Sequence, residues 1–237
     1  MILLALAVAP GFAICLFIYL MDKYDPEPTG LLVKSFLLGM LSVAFPLIIQ
    51  ALAITAGLQE NNGTLLGSAA FAYGIVGLSE ELAKYLVLLF YAYPKKAFNE
   101  PLDGIVYAVM IGMGFATLEN IAYVGRFGFG TGVARMFLSV PAHATFAILM
   151  GYYVGLAKFV PKKSEKLLSR GLLIAVLFHG TFDFFLFLGN NIFLMGASLI
   201  TLLYAIRLSI RAIRKDSALS KKLYEQHYFE DNNNEPS

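Results

Sequence analysis

Cysteine occurs once, at Cys15, so the chain has no internal disulfide and no thiolate-rich zinc site. Charge is scarce too: only 14% of the 237 residues are Asp, Glu, Lys or Arg, against about a quarter in a soluble domain. No HExxH zinc-protease signature is present. No long repeat is visible, and no loop between apolar stretches is long enough to fold alone. The first apolar stretch lacks a basic leading region and a convincing cleavage site, so it reads as a retained span and not as a signal peptide.

What is present is apolar. Hydrophobic residues make up 58% of the chain, the mean hydropathy is +0.70, and apolar stretches long enough to cross a bilayer recur. These features predict an all-α, polytopic membrane helical bundle of about seven transmembrane helices, a multi-pass protein of the cell membrane. The expected spans are 2–20, 31–57, 66–93, 104–124, 132–157, 171–188 and 191–210. Turn chemistry punctuates them: Asp25-Pro26-Glu27-Pro28, Asn61-Asn62-Gly63, Pro94 and Gly189-Asn190-Asn191. Residues 1–210 form one transmembrane domain, with the informative motifs in 66–188. Residues 211–237 form a basic, then polar and acidic tail, expected to fray beyond Tyr228.

Charge distribution orients the bundle. With seven spans, Lys23, Lys34, Lys95, Lys96, the Lys158–Arg170 cluster and the basic tail share one side, and only Arg126 and Arg135 fall on the other. The positive-inside rule then puts the N-terminus outside and the C-terminus in the cytosol. The bilayer is the partner that the composition demands; nothing points to nucleic acid. Gly104, Ala108, Gly112 and Ala116, and the pair Gly151 and Gly155, predict close helix packing.

Against this background the intramembrane polar residues stand out. Glu80-Glu81-Leu82-Ala83-Lys84 interrupts a stretch with no formal charge from Asn61 to Ser79 or from Tyr85 to Pro94. An ionised side chain near the bilayer centre costs at least ~2.5–3.5 kcal/mol on insertion scales. Lys84 is spaced to pair with either glutamate on one helix face. The fourth span carries Glu119 and Asn120, the fifth His143, and the sixth His179 and Asp183. The i,i+4 spacing lets Asp183 hold the His179 imidazole in one tautomer, and it puts the Phe115 ring beside Glu119. Each group alone has a structural reading: a register-fixing ion pair, a packing histidine, an interhelical polar pair. Together they make a functional cluster the default. Counting ~1.5 Å per residue from the outer ends puts the cluster roughly 10–20 Å deep.

The ordered set Glu80-Glu81-x-x-Lys84, Phe115-x-x-x-Glu119-Asn120, His143 and His179-x-x-x-Asp183 resembles the PrsW family of intramembrane proteases, as does Asp103-Gly104 at the start of the fourth span. The resemblance covers roughly residues 70–185, and the family is distantly similar to the CAAX prenyl proteases. It implies an intramembrane endopeptidase that cuts a single-span membrane protein, such as an anti-sigma factor, on the extracytoplasmic side. It also implies that Glu80, Glu81, Glu119, His143 and His179 are catalytic, with Lys84, Asp183, Asn120 and Phe115 in support.

The residues themselves allow two chemistries. A glutamate in a low-dielectric site can serve as general base, with His179 donating to the oxyanion or the leaving amine. Spacing does not separate Glu80 from Glu81 in that role. No cofactor is required on this route, which is ranked slightly ahead. Alternatively, His143, His179 and one or two of Glu80, Glu119 and Asp183 could hold zinc with an open position. Two functions of other classes share the features: a proton-coupled transporter, against which stands the lack of a clear inverted repeat, and a non-catalytic membrane scaffold of related fold.

Overall fold

A computed structural model describes residues 1–60, 63–189 and 191–233, with side chains as far as Gln226. Every regular element among them is helical: α1 (Ile2–Met21), α2 (Thr29–Ser42), α3 (Ala44–Thr55), α4 (Leu65–Ala69), α5 (Leu78–Val87), α6 (Pro101–Phe127), α7 (Phe129–Phe137), α8 (Ser139–Phe159), α9 (Ser164–Phe187) and α10 (Ile192–Asn233). Six spans are long, apolar helical stretches. The seventh, third in order, is a composite. Wider π-helical turns, Ala70–Gly77 and Leu88–Ala92, flank α5 on either side. The expected turns at Asn61-Asn62 and Asn190 fall outside the described residues.

Two other expected spans are bent, and proline accounts for both bends. Pro46 has no N–H for the Ser42 carbonyl, and the second span breaks at Val43 between α2 and α3. Pro141 likewise has no N–H for the Phe137 carbonyl, and the fifth span breaks at Leu138 between α7 and α8. The sixth span begins at Ser164, well before residue 171. The last helix runs 42 residues without interruption, carrying the backbone helically past Tyr228, where fraying was expected. Residues 234–237 lie outside the described residues. The polar tail is not detached: Ala212, Ile213, Asp216 and Ser220 are buried.

α6 is the axis of the bundle. Every residue from Pro101 to Thr117 is buried. Small residues let its neighbours approach. A Cβ on Gly104 would collide with the Gly151 carbonyl, and one on Gly155 with the Pro101 carbonyl, so α6 and α8 cross backbone to backbone. Gly39 and Gly114 do the same for α2, where added carbons would strike the Ile111 and Phe36 carbonyls. The outer helices instead present Phe12, Leu16 and Phe17 on α1, Leu37 and Leu41 on α2, and Ile200 and Leu203 on α10 to the surroundings. Apolar side chains outside and polar ones inside suit a bundle whose solvent is lipid.

Candidate active site

The first π-helical stretch sets the orientation of the paired glutamates. It packs on α9 through glycine: a Cβ on Gly180 would overlap the Tyr73 ring, and one on Gly77 would press on the Gly180 nitrogen and Val176 carbonyl. Tyr73 Oη and Thr181 Oγ1 lie 2.8 Å apart across the same contact. Such a π stretch holds one more residue per turn than an α-helix and recurs at functional sites. α5 then enters with Glu80 and Glu81 both enclosed, 5% and 0% exposed, although they point about 100° apart.

The two carboxylates have different surroundings. Glu81 is held from two sides: its Oε1 accepts from Lys84 Nζ at 2.7 Å and from His179 Nδ1 at 2.7 Å. Glu80 lines a cavity of about 650 Å³ together with Glu119, His143, His179, Asp183 and Arg135. Gln50 of α3 donates to Glu80 Oε1 at 3.3 Å; the buried Glu80 Oε2 accepts no hydrogen bond and stands 3.8 Å from Lys84 Nζ. Glu81 is not among the residues of the cavity wall.

Lys84 is a hub. Besides Glu81, its ammonium reaches His143 Nδ1 at 3.1 Å and stands 4.1 Å from the centre of the Phe115 ring. An ammonium can only donate, so His143 Nδ1 accepts, and His143 Nε2 carries the proton that it donates to Glu119 Oε2 at 3.0 Å. The Phe115 ring thus packs against Lys84, and it also lies 5.9 Å from that of His143. His179 stacks on Phe146 with ring centres 5.2 Å apart. Its Nε2 faces Asp183 Oδ2 at 3.2 Å and Glu80 Oε2 at 3.9 Å.

The structure thus gathers all nine residues singled out in the sequence around one centre, drawn from α5, α6, α8 and α9. It adds two that sequence reasoning missed. Gln50 carries no charge to mark it within its apolar span, and no local spacing tied it to Glu80. Arg135 was counted as an outer-loop charge. The break at Leu138 instead turns α7 back over the cavity, where Arg135 Nε donates to Asn120 Oδ1 at 2.6 Å and Nη2 to Glu119 Oε2 at 2.7 Å. A lone arginine among apolar residues was the only signal, and it favoured a topological reading.

The donor chemistry fits a metal. Glu80, His143 and His179 each offer a ligand atom within 4.8 Å of the others, all three residues are buried, and Glu80 Oε2 accepts no hydrogen bond. Two imidazoles and a carboxylate with a position left open are a zinc-type set. Glu81 on His179 Nδ1 would be the carboxylate that orients such a ligand from behind. His143 would have to give up one of its two hydrogen bonds to join.

The cavity wall runs out to Arg126 and Phe127 at the end of α6, to Leu186 and Phe187 at the end of α9, and to Glu60 in the link between α3 and α4. It therefore lies toward the end of the bundle opposite Lys95, Lys96, Lys162 and Lys163.

Comparison with known proteins finds relatives over most of the chain. The family model described as "PrsW family intramembrane metalloprotease" matches residues 27–209. The chain is 39% identical to the Protease PrsW of Geobacillus kaustophilus over 184 residues, 78% of this chain and 79% of that one. It is 37% identical to the Protease PrsW of Bacillus subtilis over 78% of this chain and 82% of that one. With the Protease PrsW of Clostridioides difficile it shares 32% identity over 94% of both chains. No solved structure matches. These relatives carry the name of a protease, not of a carrier or a scaffold.

Proposed function

Since the chain belongs to the PrsW family of intramembrane proteases, we propose that it hydrolyses a peptide bond in the outer part of a single-span membrane protein, such as an anti-sigma factor, using the cavity lined by Glu80, Glu119, His143 and His179. The observation that carries this reading is Glu80 Oε2: a buried carboxylate oxygen with no hydrogen bond, 3.8 Å from Lys84 Nζ and 3.9 Å from His179 Nε2, on the wall of a cavity large enough for an extended segment of polypeptide. A buried carboxylate oxygen left without a hydrogen bond is expensive unless a reaction uses it.

Glu80, His143 and His179 are the residues that would hold a zinc ion. When bound, such an ion supplies Lewis acidity, acidifying the attacking water and polarising the scissile carbonyl. The remaining roles belong to the chain. Glu119, oriented by Arg135, stands beside His143 and takes the proton from water. Arg135 lies on the cavity wall and supplies N–H donors to the oxyanion that develops on the carbonyl. Glu81 is a positioning residue: it does not line the cavity itself, yet it fixes the tautomer of His179 from behind and holds Lys84. Lys84 in turn orients His143.

One observation favours a second, metal-free reading. Both nitrogens of His143 are already engaged, by Lys84 and by Glu119. On that reading Glu80 itself takes the proton from water, and His179, backed by Asp183, protonates the leaving amine.

The site lies toward the end of the bundle that lacks basic loops, which the positive-inside rule makes the outer one. A substrate segment therefore enters from the outer leaflet or the outer aqueous side. The test is co-expression with a doubly tagged single-span anti-sigma factor. Wild-type protein should release an outer fragment, and Glu80→Gln should leave the reporter intact at equal expression. Cleavage by Glu80→Gln at the wild-type rate would overturn the reading. Purified protein stripped by 1,10-phenanthroline separates the two chemistries: lost activity that zinc restores supports the metal, and unchanged activity supports the second reading.

A further inference from the structure

A second group of acids is buried far from the cavity. Asp22 ends α1, Glu27 lies in the link to α2, Glu100 caps the start of α6, and Asp103 sits in its first turn. They are 2%, 3%, 5% and 0% exposed. Asp103 and Glu119 are sixteen residues apart on one helix, or about 24 Å, so this cluster belongs to the other end of the bundle.

Four enclosed carboxylates demand neutralisation, yet among the described residues none of them pairs with a lysine or arginine. Lys158 contributes charge nearby, but its Nζ is held by the Tyr93 and Lys95 carbonyls at 2.6 and 3.1 Å. The hydrogen bonds that do exist satisfy only part of the cluster. Asp22 Oδ2 accepts from the Glu27 N–H at 3.1 Å. Asp103 Oδ2 accepts from the N–H groups of Asn99 and Glu100 at 2.7 and 2.8 Å. Ser220 of α10 donates to the Glu100 carboxylate at 2.6 Å, and Tyr107 donates to Glu27 Oε2. Asp22 Oδ1 and Asp103 Oδ1 are left enclosed with no donor at all. Oxygens of Asp22, Glu100 and Asp103 lie within 4.8 Å of one another.

We propose that Asp22, Glu100 and Asp103, with Glu27 adjoining, form a binding site for a hard divalent cation, Ca²⁺ or Mg²⁺, separate from the active site. The donor set is all oxygen, with no imidazole or thiolate, which selects this class over zinc or copper. The two oxygens without donors are the ones that a cation would satisfy. Bound there, the ion would join the end of α1 to the start of α6 and, through Ser220 on Glu100, to α10.

The rival partner is a proton shared among the carboxyls, and the experiment separates the two. Purified full-length protein in detergent is stripped with EDTA and EGTA. Ca²⁺ and Mg²⁺ binding are then measured by equilibrium dialysis, with thermal unfolding in parallel. The expected result is one saturable equivalent and a Tm raised by several degrees, since a ligand that binds only the folded state stabilises it. Both effects should persist in Glu80→Gln and weaken at least tenfold in Asp22→Asn and Asp103→Asn. Should Asp103→Asn fail to fold, wild type and Glu27→Gln, which adjoins the site, decide the matter. No saturable binding of either cation overturns the proposal, as does binding that only Glu80→Gln removes. So does a protein whose Tm ignores both cations but falls as pH rises from 5 to 8, the signature of the shared proton. Cleavage of the reporter is not the readout, so this site and the proposed activity can fail independently.

Discussion

Arg135 places Nη2 2.7 Å from Glu119 Oε2, reaching from a short helix that leans over the cavity to a carboxylate on the central one. With Nε on Asn120, the guanidinium makes a two-point contact that only its planar fork can provide. Arg135→Gln and Arg135→Lys should therefore both lower cleavage at least tenfold while leaving yield and size-exclusion profile near wild type, because the pair is partly exposed. A lysine variant with full activity would reduce Arg135 to a simple charge.

Lys84 should behave differently. Removing one partner from a buried ion pair costs about 3–5 kcal/mol, and Lys84→Met leaves His143 Nδ1 without its donor and Glu81 with His179 alone. The folded yield and Tm should drop together with activity. Lys84→Met combined with Glu81→Gln removes both charges and should recover part of the Tm but none of the activity. Thermal unfolding of the two variants side by side checks this; an equal or lower Tm in the double variant would argue against the pairing.

Helix crossings give a third expectation. Gly104→Val and Gly155→Val force a side chain into a facing backbone carbonyl and should abolish folded protein. Gly196→Ala, with open space around it in the middle of helical structure, should be neutral or stabilise by up to about 1 kcal/mol. Fluorescence-detected size exclusion distinguishes the outcomes.

Sidedness is testable by thiol labelling in a Cys15→Ser background. Gly130 has open space around it and lies at the cavity end of the bundle, whereas neighbouring Gly128 has a φ of +81° that a cysteine would strain. Gly130→Cys should react with an impermeant reagent on intact cells, and Ser164→Cys only after lysis. The reverse pattern would invert the topology and place cleavage on the cytosolic side.

Much of this architecture could be read from the chain, because lipid imposes long apolar segments and makes intramembrane charge conspicuous. Glu80, Glu81, His143 and His179 were visible for that reason, and Lys84 was tied to the glutamates by spacing along one helix. Contacts between helices were not legible. Gln50 meets Glu80 across thirty residues of sequence, and Phe115 turns to Lys84 on another span because the helices cross there. Arg135 was misplaced because charge counting assumes that loop residues face water. That the carboxylates at the opposite end form a group went unseen for a related reason: Asp25-Pro26-Glu27-Pro28 reads locally as a turn, Asp103 stood out only beside Gly104, and only the fold brings Asp22 and Glu27 toward Glu100 and Asp103.

The wide turns on either side of α5 make the third span a shaft with two phase shifts in it. A full α-helix through the same residues would advance each position by about 100° per residue and could not keep both ends in register with their present neighbours. Removing one residue between Ala70 and Gly77 would convert that wide turn to an ordinary one and rotate whatever lies on one side of it relative to the other. If α9 keeps its grip on Tyr73, the part that rotates is the one bearing Glu80 and Glu81. A deletion of Gly74, whose position is open, would then leave every site residue in the chain yet swing the glutamates out of their angular setting.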